Sequence, residues 1–327
     1  MSKKVTWGII GLGNIAHKFA SDLQLSQDSI LHGVASRDLK KANIFAEKFG
    51  ATKAFGSYED LAKDPEIDII YIATPHAMHY ENTMMCLENG KSVLCEKPLG
   101  LDAAQAKAMI KKAEEKNLFL MEGLWTRFIP ATEKLLDLLA ANTIGELLFV
   151  RADFGFKPLE NPESRIFNKN LGGGSLLDIG IYPIYISMLT LGLPSKIKAT
   201  ARLNETGIDT FCAMLFDYEN GSKAILESTL EASTPTEATI YGTKGFIKLY
   251  APFHHTQKLT LHVYGEIEQE FNLPIIGEGY LHEIEEVITC LRNGQTQSSK
   301  HPHRFSLELS NLLDRVKEKI GLSYQPE

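Results

Sequence analysis

Short apolar runs alternate with amphipathic segments of helical period through the first 122 residues. The apolar runs predict buried strands at 5–10, 30–35, 53–55, 67–73, 92–95 and 118–122. The segments between them predict helices at 15–25, 40–49, 58–62, 80–89 and 102–116. Strands that are apolar on both faces are typical of a parallel sheet covered by helices on each side. The pattern therefore predicts a doubly wound α/β domain over residues 1–122.

The pattern changes after residue 122, where strand-like runs follow one another with few helices between them. Strands are predicted at 145–154, 197–203, 210–217, 223–230, 237–241, 246–251 and 258–264. Helices are predicted at 130–141, 175–191, 281–293 and 306–320. Turn residues at Asn220-Gly221 and at 242–245 mark several of these strands as hairpins. Residues 123–327 are therefore expected to form an α+β domain on a large, mostly antiparallel open sheet.

The net charge and the apolar content of the chain exclude some classes of function. The chain of 327 residues has a net charge of −7 and no clustered excess of Lys and Arg, which argues against a nucleic-acid-binding surface. No apolar run approaches the roughly 20 residues that span a bilayer, and the N-terminus lacks a signal peptide, so we expect a cytoplasmic protein. The four cysteines are widely spaced, which favours buried free thiols. No metal site is expected, because the His pairs have no cysteine or carboxylate cluster beside them.

A glycine-rich run, GLGNIA, directly follows the first predicted strand and opens the first predicted helix. Gly11 permits a tight turn, Gly13 lets a pyrophosphate approach the backbone, and the small Ala16 allows close packing of helix on strand. The phosphates would lie at the helix N-terminus, beside Asn14 and Ile15. We interpret the run as the dinucleotide-binding turn of a Rossmann domain rather than as a purely structural glycine turn.

The end of the second predicted strand bears on the choice of dinucleotide. NAD sites usually carry an acid there that binds the ribose 2′-hydroxyl, whereas this chain has Ser36. Arg37 and Lys41 would neutralise a 2′-phosphate, so NADP is favoured over NAD, which stays possible. Two observations oppose this interpretation: Lys40 and Lys41 also suit a solvated helix face, and Asp38 lies close by.

Two further strands of the first half end in polar residues. Ligands of doubly wound sheets bind outside the carboxyl ends of the strands, so these residues are expected to border the same crevice. The residues concerned are Thr74, Pro75, His76 and His79 after the strand at 67–73, and Glu96 and Lys97 after the strand at 92–95. A lysine at a strand end is ordinarily a surface residue, but at this point of the fold we place Lys97 on the crevice rim.

A second glycine-rich run, GGGSLLDIGIYP, opens the helix predicted at 175–191. Ser175 is a candidate N-cap, and Asp178 and Tyr182 are four residues apart, so they lie on one helical face. Pro183 would bend the helix. The alternative is a core tyrosine, with Asp178 supporting the helix through its dipole. A phosphate-binding P-loop is disfavoured, because the run has no lysine.

Together these runs resemble the glucose-fructose oxidoreductase and inositol dehydrogenase family of NAD(P)-dependent oxidoreductases. The resemblance covers the whole chain and rests on the ordered set GLGNIA, ATPHAMH, CEKPLG and GGGSLLDIGIYPI. Within the family, the run MEGLWTRF at 121–128 looks most like dimeric dihydrodiol dehydrogenases and NADP-dependent D-xylose dehydrogenases.

The resemblance implies roles for individual residues. Lys97 would be the essential lysine of the E-K-P motif, and Asp178 and Tyr182 would occupy the D-x-x-x-H/Y positions. In that case Tyr182 exchanges the hydroxyl proton during hydride transfer, while Lys97 polarises the substrate oxygen. The resemblance further implies a cofactor site with Ser36, Arg37, Lys41, Thr74, Pro75, His76, Glu96, Trp125 and Arg127, a substrate pocket with His79, Phe154 and Phe156, and a homodimer formed through the open sheet face.

Several alternatives stay open at the sequence level. Tyr182 stands where inositol dehydrogenases carry a histidine, so an inositol substrate is disfavoured. An aldose, a trans-dihydrodiol or an α-dicarbonyl reduced in the reverse direction all fit the aromatic and basic residues. A regulator that binds NADP without turnover and an NAD-dependent glycosidase of the same fold are the competing classes.

Overall fold

The computed structural model describes residues 3–159, 161 and 163–324 of the chain. It divides into two compact units, the first formed by Met1–Phe128 with Ile276–Leu307 and the second by Ile129–Ile275 with Glu308–Glu327. This division differs from the predicted boundary at residue 122, because a late segment of the chain packs with the first unit.

The first unit contains a parallel sheet whose described strands run in the order β3-β2-β1-β4-β5-β6. The strands are β1 (Val5–Ile10), β2 (Ser29–Ala35), β3 (Lys53–Phe55), β4 (Ile69–Ile72), β5 (Ser92–Glu96) and β6 (Leu120–Gly123). The order reverses between β1 and β4, and the carboxyl ends of these two strands flank the point where ligands of such sheets bind. The predicted doubly wound α/β domain is confirmed.

Helices cover this sheet and connect its strands. They are α1 (Asn14–Leu23), α2 (Leu39–Phe49), α3 (Tyr58–Lys63), α4 (His79–Glu88) and α5 (Ala103–Lys116). The residues of β1, β2, β4, β5 and β6 are almost all buried, as expected for a sheet with helices on both faces, whereas the edge strand β3 is partly exposed. The predicted helices are all present, with ends that shift by one or two residues.

The second unit is built on an antiparallel sheet with one parallel pair. Its described strands run in the order β14-β13-β12-β11-β7-β10-β9-β8, and β7 pairs with β10 in parallel. The strands are β7 (Leu147–Gly155), β8 (Lys196–Leu203), β9 (Asp209–Asp217), β10 (Lys223–Thr229), β11 (Ala238–Gly242), β12 (Gly245–Leu249), β13 (Lys258–Val263) and β14 (Gln269–Asn272). The predicted mostly antiparallel sheet is confirmed, and β14 is the strand that the sequence did not indicate.

Helix α7 (Ile181–Leu191) packs on β7, β10 and β11 of this second sheet, which agrees with the alternating burial along these strands. Helix α6 (Pro130–Ala140) belongs to the same unit. The segment Lys169–Leu191 is long and apolar enough to cross a membrane, but 83% of its apolar window is buried inside the protein. Such burial is typical of the core helix of a globular domain.

The late segment that joins the first unit leads into α8 (Leu281–Arg292), and the last helix is α9 (His303–Ile320). Asp22 of α1 is buried, and its carboxylate accepts backbone N–H groups from Glu278 and Tyr280 at 2.8 and 2.7 Å. A buried carboxylate that is satisfied by backbone donors fixes this segment against α1. The sequence gives no sign of this long-range contact.

One cluster at the edge of the first sheet has the residue types of a metal site. The donor atoms of His32, Asp64 and Glu66 lie within 4.8 Å of one another. Lys53 Nζ lies 2.8 Å from Asp64 Oδ2 and 2.9 Å from Glu66 Oε2, so an ammonium group already pairs with both carboxylates. Burial is the largest influence on Asp64 and disfavours its ionised form, but the hydrogen bonds from Lys53 and from the backbone N–H of Glu66, together with the nearby positive charges, outweigh it and lower the pKa of Asp64. We interpret the cluster as a structural ion-pair network.

The cysteines bear out the expectation of free thiols. The free thiols are Cys86, Cys95, Cys212 and Cys290, and all four are buried. Burial raises the pKa of Cys290 to about 12 and that of the other three further still. These thiols are therefore protonated and chemically inert near neutral pH.

Candidate active site

The first glycine-rich run forms the turn between β1 and α1. Gly11 has φ +87°, and a Cβ there would lie 2.7 Å from the backbone N of Thr74. The turn is thus packed directly against the end of the neighbouring strand, where only glycine fits. Ala16, one turn into the helix, is fully buried.

Gly13 leaves the helix N-terminus open. It has φ −86°, no side chain caps the helix after it, and a Cβ at this position would meet nothing within 4 Å. Gly13 and Asn14 are both exposed. The first backbone N–H groups of α1 therefore face open space, which is the arrangement that a phosphate requires.

The end of β2 is organised by Ser36 and Asp38. Ser36 Oγ accepts the backbone N–H of Asp38 at 3.1 Å, and the Asp38 carboxylate in turn accepts the N–H of Lys40 at 2.9 Å. Asp38 is thus the N-cap of α2, a role that occupies its carboxylate. Arg37 is exposed and lies close to Tyr58. Burial raises the pKa of the Tyr58 phenol, and the positive charge of Arg37 opposes this rise.

His79 connects the two crevice loops. Its side chain is fully buried, with Nδ1 2.8 Å from the carbonyl of Pro98 and Nε2 2.9 Å from the carbonyl of Thr74. Burial lowers the pKa of His79, and the charge of Lys97 lowers it further. We therefore correct the prediction that His79 contacts the substrate. Its ring has no solvent exposure and is held between two carbonyls, so it positions the loops and does not reach a substrate.

The loop that carries Lys97 is held by a second buried acid. Glu122 Oε1 accepts the backbone N–H of Leu99 at 2.8 Å, and Glu122 Oε2 lies 3.4 Å from Nε2 of His301. Lys97 itself is partly exposed at the end of β5. The position of Glu122 at the end of a predicted strand does not indicate this support.

Glu96 is bound from the neighbouring strand. The hydroxyl of Tyr71 donates to Glu96 Oε1, and the Tyr71 ring stacks on Phe19 with centroids 3.6 Å apart. Glu283 of α8 is fully buried, and its carboxyl oxygens have no hydrogen-bond partner among the described residues. Burial raises the pKa of Glu283 well above its usual range, and the negative charge of Glu96 raises it further. Glu283 therefore holds its proton more firmly than an exposed glutamate does, and nothing in the sequence indicated this buried acid.

Trp125 and Arg127 follow β6 in the same unit. The Trp125 ring stacks on Tyr280 with centroids 4.6 Å apart and an interplanar angle of 9°. Arg127 donates through Nε to the carbonyl of Lys300 at 3.0 Å. Thr74, also in this unit, accepts from Asn82 through its hydroxyl at 3.1 Å. Pro75 and His76 follow it in the loop between β4 and α4.

In the second unit, the segment that carries Asp178 is not a simple α-helix. Leu176–Gly180 forms a π-helical turn that continues into α7, and Pro183 lies in the first turn of α7. A π-helical turn is rare and is often found at functional sites. The predicted bend at Pro183 is thus replaced by a change of helix type, since the first turn of an α-helix tolerates proline.

Ser175 does not cap this segment as predicted. It has helical backbone angles and makes no capping hydrogen bond; its hydroxyl donates instead to Asp209 Oδ2 at 2.7 Å. The same Asp209 oxygen accepts the backbone N–H of Leu176 at 2.7 Å. The cap therefore comes from β9, a strand that sequence spacing does not connect with the helix.

Asp178 and Tyr182 each have partners that the sequence did not indicate. Asp178 receives two hydrogen bonds from Arg165, at 2.9 and 3.4 Å, in a forked ion pair. The Tyr182 ring lies 4.7 Å from the ring of His254 and 5.8 Å from that of Phe154. Phe156 lies beside Phe154, with centroids 6.4 Å apart. The predicted aromatic wall and Tyr182 thus lie together.

The residues of the first unit fit a dinucleotide. The open N-terminus of α1 offers backbone donors without a competing side chain, and Gly13 leaves space for a phosphate. Asp38 is occupied in capping α2, so it does not stand free to bind a ribose hydroxyl. When bound, a nicotinamide dinucleotide accepts or gives up the hydride that these side chains alone cannot transfer.

Family models match both parts of the chain. Residues 5–124 match the model described as "Oxidoreductase family, NAD-binding Rossmann fold", and residues 132–248 match the "GFO/IDH/MocA C-terminal domain". The chain belongs to the GFO/IDH/MocA oxidoreductase family. It is therefore an oxidoreductase that uses a nicotinamide dinucleotide, as the sequence predicted.

Trans-1,2-dihydrobenzene-1,2-diol dehydrogenases are similar to this family member over its whole length. The enzyme of Mus musculus is 39% identical, and the match covers 97% of each chain. The enzyme of Homo sapiens is 38% identical, again over 97% of each chain.

Solved structures share the fold of this chain. A 3-ketoreductase from Actinomadura kijaniata in complex with NADP and TDP-benzene has a TM-score of 0.88 and 26% identity, with 97% of this chain and 98% of that chain covered. An aldose-aldose oxidoreductase from Caulobacter crescentus has a TM-score of 0.88 at 21% identity, with 97% of both chains covered, and shows likeness of fold only.

Proposed function

We propose that the protein is an NADP-dependent dehydrogenase that oxidises a hydroxyl-bearing carbon of a trans-dihydrodiol or of a sugar. The observation that carries the proposal is the 38–39% identity to trans-1,2-dihydrobenzene-1,2-diol dehydrogenases over 97% of the chain. The preference for NADP is supported by Ser36 at the end of β2, by the exposed Arg37 and Lys41 beside it, and by the use of Asp38 as a helix cap. NADP is also the cofactor of the ketoreductase neighbour.

Lys97 and Tyr182 are proposed to serve the same hydride transfer. Tyr182 exchanges the hydroxyl proton, and the ammonium of Lys97 donates a hydrogen bond to the substrate oxygen as charge develops on it. Asp178, paired with Arg165, orients the polar end of the substrate. Phe154 and Phe156 provide an apolar wall, which suits the ring of a cyclic diol. The ketoreductase neighbour has also been solved with a lysine or a tyrosine replaced, the same two residue types.

Substitution tests these two roles. Lys97→Met is expected to lower turnover with NADP and a trans-dihydrodiol by on the order of 10²–10⁴, with little change in NADP affinity. Tyr182→Phe keeps the ring contacts with Phe154 and His254 while it removes the hydroxyl, and the same loss is expected. Lys111→Met, at an exposed lysine of α5, is the matched control. Wild-type turnover in Lys97→Met would remove that residue from the mechanism.

A substrate panel tests the proposed activity itself. Formation of NADPH is followed by its absorbance with trans-dihydrodiols, aldoses and inositols, with NAD as the alternative cofactor. Oxidation of a diol or aldose with NADP is the expected result. Release of an aglycone from glycosides with tightly retained cofactor would instead identify a glycosidase, and cofactor binding without turnover on any substrate would identify a regulator.

A homodimer through the open face of the second sheet is proposed from a stripe of aromatic rings. Phe149 and Tyr241 stack with centroids 4.2 Å apart, and the stripe continues to Phe246 at 5.7 Å from Tyr241. These rings are partly exposed on the face away from α7. Tyr241→Glu is expected to shift the mass measured by light scattering from dimer to monomer. The control is Ile267→Glu, at a residue that is 91% exposed outside the strands; a monomeric wild type would refute the proposal.

A further inference from the structure

Asp209 is a buried acid in the second unit that the proposed reaction does not yet use. It is the first residue of β9 and has no solvent exposure. Its Oδ2 accepts both the Ser175 hydroxyl and the Leu176 backbone N–H at 2.7 Å. Among the described residues, no lysine, arginine or histidine pairs with it, so the carboxyl is held by hydrogen bonds alone.

The loop around Asp209 is shaped to its carboxyl group. Gly174 has φ +122°, and a Cβ there would lie 2.4 Å from Asp209 Oδ1. Further along, a Cβ on Gly180 would lie 2.7 Å from Ser228 Oγ. Ser228 Oγ is also 3.0 Å from Ser175 Oγ. The π-helical turn is therefore in close contact at both of its ends, and Asp209 fixes the first.

This turn carries the groups that the proposed chemistry needs. Leu176–Gly180 contains Asp178, and α7 continues directly to Tyr182. Leu176 supplies the first N–H of the segment, so the bond to Asp209 determines where the turn begins and how it is rotated. A displacement of about 1 Å in such a segment is enough to cost about 10²-fold in rate.

The titratable groups that face Asp209 do not neutralise it. The Tyr324 hydroxyl donates a hydrogen bond to the carbonyl of Gly173 at 2.6 Å. Burial raises the pKa of Tyr324, and the negative charge of Asp209 raises it further. The pKa of Cys212, three positions along β9, is also raised by burial and by the charge of Asp209. Burial raises the pKa of Asp209 itself to about 7, although the Ser175 and Leu176 donors oppose the rise. Asp209 thus titrates near neutral pH.

We propose that Asp209 is a positioning residue, which fixes the turn bearing Asp178 and Tyr182 and holds that turn more firmly when the carboxyl is ionised. The role rests on the proposed dehydrogenase function. Ionised acceptors make shorter and stronger hydrogen bonds than neutral ones, so the turn is held best above pH 7. Oδ1, which has no hydrogen-bond partner among the described residues, is the oxygen left to carry the proton at lower pH.

Amide hydrogen exchange measures how firmly the turn is held, independently of turnover. In the NADP-loaded wild type, protection of the amides at 174–182, corrected for intrinsic rates, is expected to rise by about fivefold to tenfold between pH 6 and pH 8. Asp209→Asn keeps a neutral acceptor, and its protection is expected not to change with pH. Asp209→Ala removes the acceptor and is expected to lose the protection. Ser187→Ala, at a buried hydroxyl of α7 that donates to the carbonyl of Ile184 in its own helix, is the control and is expected to match the wild type.

Kinetics then connect the turn with catalysis. Asp209→Ala is expected to lower kcat by about 10–100-fold with NADP affinity unchanged. The kcat of the wild type is expected to rise as Asp209 ionises near pH 7, and Asp209→Asn is expected to lack this rise. Wild-type exchange at 174–182 in Asp209→Ala, or an unaltered pH profile in Asp209→Asn, would overturn the proposal. A wild type that turns over no diol or sugar would refute the proposed function, and the exchange data would still decide whether Asp209 holds the turn.

Discussion

The two glycines of the first turn give opposite predictions for the same substitution. At Gly13 a Cβ meets nothing within 4 Å and φ is −86°, so Gly13→Ala is expected to change the free energy of unfolding by no more than about 1 kcal/mol. At Gly11 a Cβ would lie 2.7 Å from backbone atoms of Ala73 and Thr74, at φ +87°. The backbone conformation costs about 1–2 kcal/mol for alanine and the overlap about 1–3 kcal/mol, so Gly11→Ala is expected to destabilise by about 2–5 kcal/mol.

Cofactor affinity separates the two variants further. The methyl group of Gly13→Ala stands in the space through which a phosphate reaches the first N–H groups of α1. The loss of one hydrogen bond between a backbone donor and a charged oxygen is worth about 1.5–3 kcal/mol, so the Kd for NADP is expected to rise by about 10–150-fold. A fluorescence titration with NADPH measures the Kd, and urea denaturation measures the stability.

Each of the two variants has an outcome that would contradict the reasoning. Gly13→Ala with wild-type NADP affinity would mean that no phosphate approaches this helix terminus, and the proposed cofactor position would be wrong. Gly11→Ala with wild-type stability would mean that the turn does not pack on Thr74 as the structure has it.

Three further predictions address cofactor choice, a buried acid and the substrate side. Ser36→Asp is expected to shift the ratio of kcat/KM from NADP toward NAD, because the new carboxylate repels a 2′-phosphate; an unchanged ratio would defeat the phosphate argument. Since burial raises the pKa of Glu283, stability from its neutral form is present at acid pH and is lost as pH rises through the folded pKa. Glu283→Gln is therefore expected to gain in Tm relative to the wild type between pH 5 and pH 9, and a constant difference would contradict a titrating Glu283. Arg165→Ala removes a forked partner of Asp178 and is expected to destabilise by about 1–2 kcal/mol and to lower kcat/KM by about tenfold; Arg165→Lys, with full activity, would show that only the charge matters.

Periodicity was enough to predict the elements that carry long apolar patterns. The strands β1, β4 and β5 of the parallel sheet are buried on both faces, and each is a short apolar run that the structure confirms as a strand. Strand β14 (Gln269–Asn272) escaped because it is polar and largely exposed, and pairs only with β13. Pairing through the backbone leaves no hydrophobic pattern to find.

The site shows the same division between local and long-range signals. The glycine turn, Lys97, Asp178 and Tyr182 are spaced within short motifs, so the sequence alone indicates them. Asp209, Glu283 and Arg165 act on those motifs from distant parts of the chain, and no spacing connects them. His79 was misassigned for a related reason: a histidine after a strand looks available to a ligand until the two carbonyls that hold it are known.

The most direct test of the account follows the hydride itself. A trans-dihydrodiol or aldose that carries deuterium at the carbinol carbon is incubated with the purified protein and NADP, and the NADPH formed is examined by mass spectrometry. We expect NADPH that contains one deuterium and is formed more slowly than from the unlabelled substrate. NADPH without deuterium, or no NADPH from any diol or sugar despite NADP binding, would contradict hydride transfer from a hydroxyl-bearing carbon.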